Sequence, residues 1–185
     1  MEIIKTTLDE VTNQVFSKIS DQSECIIYHV FDENCAIVGR NGGSNIDRIR
    51  KHGIRMVEIN HEGGTIVASP GDISIGIFTK DYKGREYRDD IVIKIINRLR
   101  ENGYNASIDG NDVVIDGRKV IGYGSRRFGN ILYTAIHIAV NTDLELIKTI
   151  CTKHMNKIPD ALSSYRIDTE DVLNIISDVF GQKLI

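Results

Sequence analysis

Tryptophan is absent from the 185 residues, proline occurs twice, at Pro70 and Pro159, and cysteine three times, at Cys25, Cys35 and Cys151. Each scarcity excludes something. With so little proline and no Ser/Gly-rich or single-sign stretch, no segment has the composition of a linker, so residues 1–185 are expected to form one domain. The cysteines are far apart, in neither CxxC nor Cys/His ligand spacing. They offer no disulfide framework and no metal site, and fit reduced thiols in a cytoplasmic protein. Charge of one sign is missing too: 23 Lys and Arg against 26 Asp and Glu leave a net charge of -3, without the broad basic field that drives non-specific nucleic-acid binding. No apolar run approaches the length of a membrane span, and Met1-Glu2-Ile3-Ile4-Lys5 lacks a basic region ahead of a long apolar one. Neither nucleic acid nor membrane is expected as a partner.

What is present alternates between two periods. Leu8, Val11, Val15 and Ile19 recur at helical spacing behind Thr7-Leu8-Asp9-Glu10, which has the form of a capping box. Cys25 to Phe31 and Cys35 to Gly39 read as an antiparallel pair joined by Asp32-Glu33-Asn34. A short helix over Asn45 to His52, a strand over Met56 to Ile59, and strands over Thr65 to Ala68 and Ile73 to Phe78 follow, the last two separated by the turn Ser69-Pro70-Gly71-Asp72. A long helix runs from Tyr87 to Glu101. Asp109-Gly110 and Asp116-Gly117 then punctuate a meander of Ala106 to Ile108, Val113 to Ile115 and Lys119 to Tyr123. Ile131 to Val140 is the longest strand-like run, before helices from Leu144 to Cys151 and from Asp168 or Thr169 onward. Groups of antiparallel strands with helices between them predict an α+β architecture of mixed, largely antiparallel sheets and flanking helices.

Lys119 stands out as a cation on an otherwise apolar strand just after a tight turn, which suits a phosphate or an acyl carbonyl. The loop His61-Glu62-Gly63-Gly64-Thr65 lies between two apolar runs, where glycines let bare backbone N–H groups approach a ligand closely. The two segments are expected to converge on one apolar cleft, with Ile66, Ile75 and Ile138 as candidate lining for an aliphatic tail. His61 is a candidate general base or ligand, weighed against an exposed loop histidine. His137, in a strand of apolar alternation, is weighed mainly as a sheet residue. The segment Lys80-Asp81-Tyr82-Lys83-Gly84-Arg85-Glu86-Tyr87-Arg88 mixes signs and aromatics and reads as a charged exposed loop.

From about Cys25 to Phe180 the chain resembles the catalytic domain of lipoate–protein ligases, within the wider biotin/lipoate ligase and octanoyltransferase superfamily. Cys35-Ala36-Ile37-Val38-Gly39-Arg40-Asn41 is similar to the strand ending in Gly-Arg that opens the family pattern, and Gly53-Ile54-Arg55-Met56-Val57 to its next strand. Glu62-Gly63-Gly64-Thr65-Ile66-Val67 falls at the family's glycine loop, and Gly71-Asp72 at its Gly-Asn step. Asp116-Gly117-Arg118-Lys119-Val120-Ile121-Gly122 resembles the segment whose lysine contacts an acyl-adenylate, with Arg126 beyond it, and Asn141-Thr142-Asp143-Leu144 resembles the Asn-x-Asp-Leu after the following strand. The pattern differs at Glu58-Ile59, where the family has paired arginines, at Glu62, which replaces a glycine, and at Ala68-Ser69, where many members have His-Asp. Ile131-Leu132-Tyr133-Thr134 lacks the nucleophilic cysteine of the octanoyltransferase branch, which excludes a thioester mechanism there.

The resemblance implies activation of lipoate or octanoate with ATP and Mg²⁺ to an acyl-AMP, then transfer to a lysine of a lipoyl acceptor domain or carrier protein. It implies Lys119 as the catalytic contact, and Gly63, Gly64, Thr65, Asp72, Gly122, Arg126 and His61 around the substrate and nucleotide. The altered loop carries an alternative: a non-catalytic member that binds an acyl group, a nucleotide or a carrier protein.

Overall fold

The computed structural model of the protein describes residues 1–39, 44–58, 64–151 and 157–184. Two sheets organise it. The larger contains β1 (Glu2–Lys5), β2 (Cys25–Val30), β6 (Ile73–Thr79), β10 (Ile131–Ile138), β9 (Arg118–Phe128), β8 (Asp112–Ile115) and β7 (Ala106–Asp109), in that spatial order. All its neighbours are antiparallel except β1 and β2. The smaller has the order β4 (Arg55–Glu58), β3 (Cys35–Val38), β5 (Thr65–Ala68), with β3 and β4 parallel. Around them lie α1 (Leu8–Ser20), α2 (Ile46–Lys51), α3 (Lys83–Glu101), α4 (Leu144–Ile150) and α5 (Thr169–Phe180). The architecture is the expected α+β one, and no helix among the described residues is long and apolar enough to cross a membrane.

Side chains alternate across a strand, so each strand feeds both faces of its sheet. On one face of the larger sheet Ile26, Ile73, Ile75, Ile77, Ile121, Ile136 and Ile138 form the main core with Ile91, Ile95 and Leu99 of α3 and Val172 and Ile176 of α5. On the other face, among the described residues, α1 covers one flank, where Val15 and Ile19 pack against Cys25, Ile27, Phe78 and Tyr133. The smaller sheet is held by α2 and α4 through Ala36, Ile49, Val67, Ile147 and Ile150.

The segments Cys25 to Phe31 and Cys35 to Gly39 do not form the expected hairpin but enter different sheets. The backbone of Phe31 explains this. It remains tied to the start of β6, with its N–H donating to the Asp72 carbonyl at 2.9 Å and its carbonyl accepting from the Gly71 N–H at 2.8 Å, so residues 32–34 lead away from the sheet. Strand β1 has no alternation to reveal it, because the adjacent Ile3 and Ile4 serve opposite faces. The Thr7 side chain makes no capping bond, whereas Asp168 and Asp171 form a reciprocal capping box at α5.

Asp72 fastens the junction between the sheets. It is fully buried; one carboxylate oxygen accepts from the Val140 and Asn141 N–H groups at 2.7 and 2.8 Å, and the other from the Ser69 N–H at 2.9 Å and the Thr142 hydroxyl at 2.6 Å. Removing the carboxylate strands four donors. Asp72→Ala is therefore expected to lower unfolding stability by at least about 3 kcal/mol, measured by urea denaturation at neutral pH; a loss below about 1 kcal/mol would remove Asp72 from this role.

Candidate functional site

Register across the larger sheet fixes what lies on the face that α1 leaves partly open. His29, Ser74, His137, Gly122 and Asp112 are successive partners across β2, β6, β10, β9 and β8 and form one transverse row. Two residues along, the row is Ile27, Gly76, Ala135 and Gly124; two further, it is Cys25, Phe78, Tyr133 and Arg126. The middle row is nearly bare of side chains over three adjacent strands. A Cβ at Gly124 would meet no heavy atom within 4 Å, while one at Gly76 would come to 3.0 Å from the Tyr133 ring. Phe78 and Tyr133, stacked with ring centroids 4.8 Å apart, lie over Gly76, so the bare trough that is left runs over Ala135 and Gly124, between this aromatic pair and the polar row.

Lys119 stands over the polar end because of a bulge. Val113 pairs with Ile121 and Val114 with Lys119, so β9 has one extra residue opposite β8. In an unbulged strand Lys119 would share the face of Ile121, which is in the core. The extra residue turns it to the open face, while Val120 and Ile121 both remain buried. The Asp116-Gly117 turn before it has the two positive φ angles, 48° and 77°, of the expected hairpin chemistry. Beyond the sheet, the Lys119 N–H donates to the Ile158 carbonyl at 2.8 Å and its carbonyl accepts from the Asp160 N–H at 2.8 Å. A Cβ added at Gly122 would lie 2.9 Å from Lys119 Nζ, so the glycine lets the ammonium settle over the strand where a side chain would push the flexible lysine aside.

Asp112 holds that ammonium. Its carboxylate takes Lys119 Nζ at 2.8 Å on one oxygen and Lys157 Nζ at 2.8 Å on the other. Burial pushes the Asp112 carboxyl up, but the hydrogen bonds and charges of the two lysines outweigh it, and the group lies below the usual carboxylate range. His137 responds in the opposite sense: burial, opposed by the charge of Asp72 and reinforced by that of Lys119, brings its imidazole down to about 4. It shares a hydrogen bond with Ser74, Oγ to Nδ1 at 3.1 Å, under the edge of Phe31 with centroids 6.0 Å apart. Next to them, His29 directs Nδ1 to the Thr6 carbonyl at 2.8 Å, leaving its buried Nε2 without a partner. Cys25 lies in the outermost row but is fully buried and raised to about 11 by burial, so it is not a ready nucleophile.

Lys119 and Gly122 thus come together. Arg126 lies in the outer row opposite Tyr133, its guanidinium 5.4 Å from the Phe128 ring centroid. Gly64 is exposed and its carbonyl accepts from the Gly39 N–H at 3.1 Å. Thr65, opposite Val38, has a buried hydroxyl with no partner among the described residues. Asp72 lies below the surface with its lone pairs occupied within the chain. His61 and Gly63 are outside the described residues. Ile75 and Ile138, expected to line a slot, instead face the core formed with α3 and α5, because they are one residue out of phase with Ser74, Gly76 and His137. The sequence reading passed over Asp112, Ser74, Gly76 and Gly124. The available signal was the spacing Gly122-Tyr123-Gly124, which puts two glycines on one face of a strand. Among the described residues no group of three or more His, Cys, Asp or Glu side chains is arranged to hold a metal ion.

The family model for the lipoyl protein ligase A/B catalytic domain matches residues 8–183. Among solved structures, LipL1 of P. falciparum, in complex with lipoate, superposes with a TM-score of 0.78 at 12% identity over 96% of this chain and 60% of that one. This chain therefore spans less than two thirds of that relative. Lipoate-protein ligase A bound with ATP gives 0.74 at 13% identity over 100% and 87% of the two chains. A bi-partite lipoate protein ligase from Thermoplasma acidophilum, studied with its E2 lipoyl domain, gives 0.72 at 15% identity over 100% and 86%. These likenesses establish a shared fold. Comparison by sequence with curated proteins finds no match.

The depressed His137 makes folding pH-dependent in a defined window. Between its unfolded value of 6.5 and its folded value of about 4, the unfolded chain binds a proton that the folded chain refuses. Stability is then complete above about pH 6.5 and is lost as pH falls towards 4, by up to about 3 kcal/mol. Urea-denaturation midpoints should fall over that interval more steeply in the wild type than in His137→Gln; parallel curves would show that His137 is not held neutral by the fold.

Proposed function

The chain belongs to the lipoyl protein ligase A/B catalytic-domain family, and from that premise we propose that it activates a lipoyl or octanoyl carboxylate with ATP and passes the acyl group to a protein lysine. In the first step a carboxylate oxygen attacks the α-phosphorus of ATP, the bond to the β-phosphate oxygen breaks, and pyrophosphate leaves an acyl-AMP. In the second, the neutral amine of an acceptor lysine attacks the acyl carbonyl. The C–O bond to AMP breaks, AMP leaves with the electron pair, and the amine proton passes to solvent or to the leaving phosphate.

The observation that carries this reading is the placement of the Lys119 ammonium over Gly122, at the polar end of the bare stretch over Ala135 and Gly124. Tyr133 and His137 are four residue steps apart along β10, about 13 Å of strand, which suits a medium-length acyl chain once the flanking side chains take their share. An ammonium beside the carboxyl neutralises the attacking carboxylate's environment, and later stabilises charge developing on the carbonyl and bridging oxygens. Asp112 fixes its direction. Half-exposed Lys119 and its partner Asp112 form a pair open to water, which a ligand's phosphate can join or displace.

Gly63, Gly64 and Thr65 are proposed as the backbone cradle for the nucleotide, with Arg126 and His61 as further contacts and Asp72 acting indirectly, by holding the junction beneath them. The described residues provide no cage for Mg²⁺, so no step is assigned to that ion. It would arrive on the phosphates of ATP. The proposed acceptor is a lipoyl domain or carrier protein in the cytoplasm. The second reading, an acyl or nucleotide binder without turnover, is favoured by Glu58 and Ile59 at the positions of the family's paired arginines.

Mass-spectrometric detection of acyl-AMP from ATP, Mg²⁺ and lipoate or octanoate separates them. The wild type should form the adenylate, and Lys119→Ala should lower its rate by about 100-fold or more. Binding of an acyl-AMP analogue without any turnover would support the binder, and an unchanged rate in Lys119→Ala would remove the lysine from the chemistry.

A further inference from the structure

Building on the ligase reading, we propose that His137, held at Nδ1 by Ser74, carries its proton on Nε2 and is a second substrate contact that donates a hydrogen bond to the acyl carboxylate beside Lys119.

The argument begins with three groups in a row. His29 directs Nδ1 at the Thr6 carbonyl, so that nitrogen donates and is not free for Ser74. Ser74, between His29 and His137, places its hydroxyl 3.1 Å from His137 Nδ1. Ser74 is half-buried, and His137 Nδ1 is the hydrogen-bond partner of its hydroxyl; a serine proton used in that bond makes Nδ1 the acceptor. The imidazole proton then lies on Nε2. Unlike the buried Nε2 of His29, this atom is not among the buried polar atoms lacking a partner, and no protein group among the described residues accepts from it.

Its position gives the donor a use. Across β9 and β10, His137 is the direct partner of Gly122, the glycine over which Lys119 Nζ lies. The ammonium and the imidazole N–H therefore flank the same end of the trough from adjacent strands. A carboxylate has two oxygens and gains from two donors set side by side. Burial together with the neighbouring cation keeps the ring neutral, so it supplies a hydrogen bond without a second positive charge. Asp72, Asp112 and Lys119 are the charged groups around it, and Asp72 is already filled by backbone and hydroxyl donors.

The test measures octanoate and octanol binding by calorimetry, and the His137 tautomer by nitrogen-15 NMR of histidine-labelled protein. The wild type should show the Nε2–H tautomer, with that signal moving on addition of octanoate. His137→Leu should bind octanoate about tenfold more weakly with octanol affinity unchanged, and His137→Gln, which retains an N–H donor, should recover most of the loss. A purely structural role would move both ligands together. An Nδ1–H tautomer, equal octanoate affinity in wild type and His137→Leu, or no octanoate binding by the wild type overturns the inference. Should His137→Leu fail to fold, Ser74→Ala and the wild-type tautomer decide it. Absence of acyl-AMP formation, with the octanoate results as expected, would sink the ligase reading and leave this contact standing.

Discussion

A sheet has two faces, and this chain concentrates its large aliphatic side chains on one of them, leaving the other a smaller cluster around Ile27 and Ile131 at the α1 flank. Isoleucines from four central strands face α3 and α5 and build the main core, where each fully buried side chain contributes roughly 1.5–3 kcal/mol of transfer free energy. The other face is treated differently along its width. One flank is closed by α1, and the remainder carries glycine, alanine, serine and histidine. Because the stabilising burial is concentrated behind the sheet, the front can be left open without loss of the fold. Function depends on that asymmetry.

Three local devices convert an open face into a site. The bulge at Val120 turns Lys119 out of the core, Gly122 makes room for its ammonium, and Asp112 sets its direction from the neighbouring strand. At the junction with the smaller sheet, the buried Asp72 carboxylate gathers donors from the turn before β6 and the loop after β10. The two carboxylates have different tasks. Asp72 is satisfied by backbone and hydroxyl groups and serves the fold, whereas Asp112 is shared between two lysines at a partly exposed position and remains available for exchange with a ligand.

Much of the fold is legible in the sequence, for reasons visible residue by residue. Leu8 to Ser20, Ile73 to Phe78 and the Asp116-Gly117 turn declare themselves through periodicity or turn chemistry, and the segment around Lys119 is distinctive enough to suggest its family. Sheet membership is not local, and there the reading fails. Whether β2 and β3 pair depends on Gly71 and Asp72, some forty residues away, holding Phe31. The slot lining was misjudged for a related reason: Ile75 and Ile138 are apolar and near the motif, but a one-residue phase difference puts them on the far face. Nothing in the composition marks Gly76 and Gly124 as neighbours, because only the pairing of β6, β10 and β9 brings them together. Lys119 itself was found through its motif, while the bulge that aims it has no short-range signature.

The central claim is that the bare stretch over Ala135 and Gly124 receives the acyl chain. Gly124→Leu tests it most directly, since an added Cβ there meets no heavy atom within 4 Å and the side chain grows from the open face, away from the core. Calorimetry with a non-hydrolysable octanoyl-adenylate analogue should show tight binding by the wild type and at least about a hundredfold weaker binding by Gly124→Leu, at unchanged thermal stability. Equal affinity in the two proteins would place the ligand elsewhere and contradict the account.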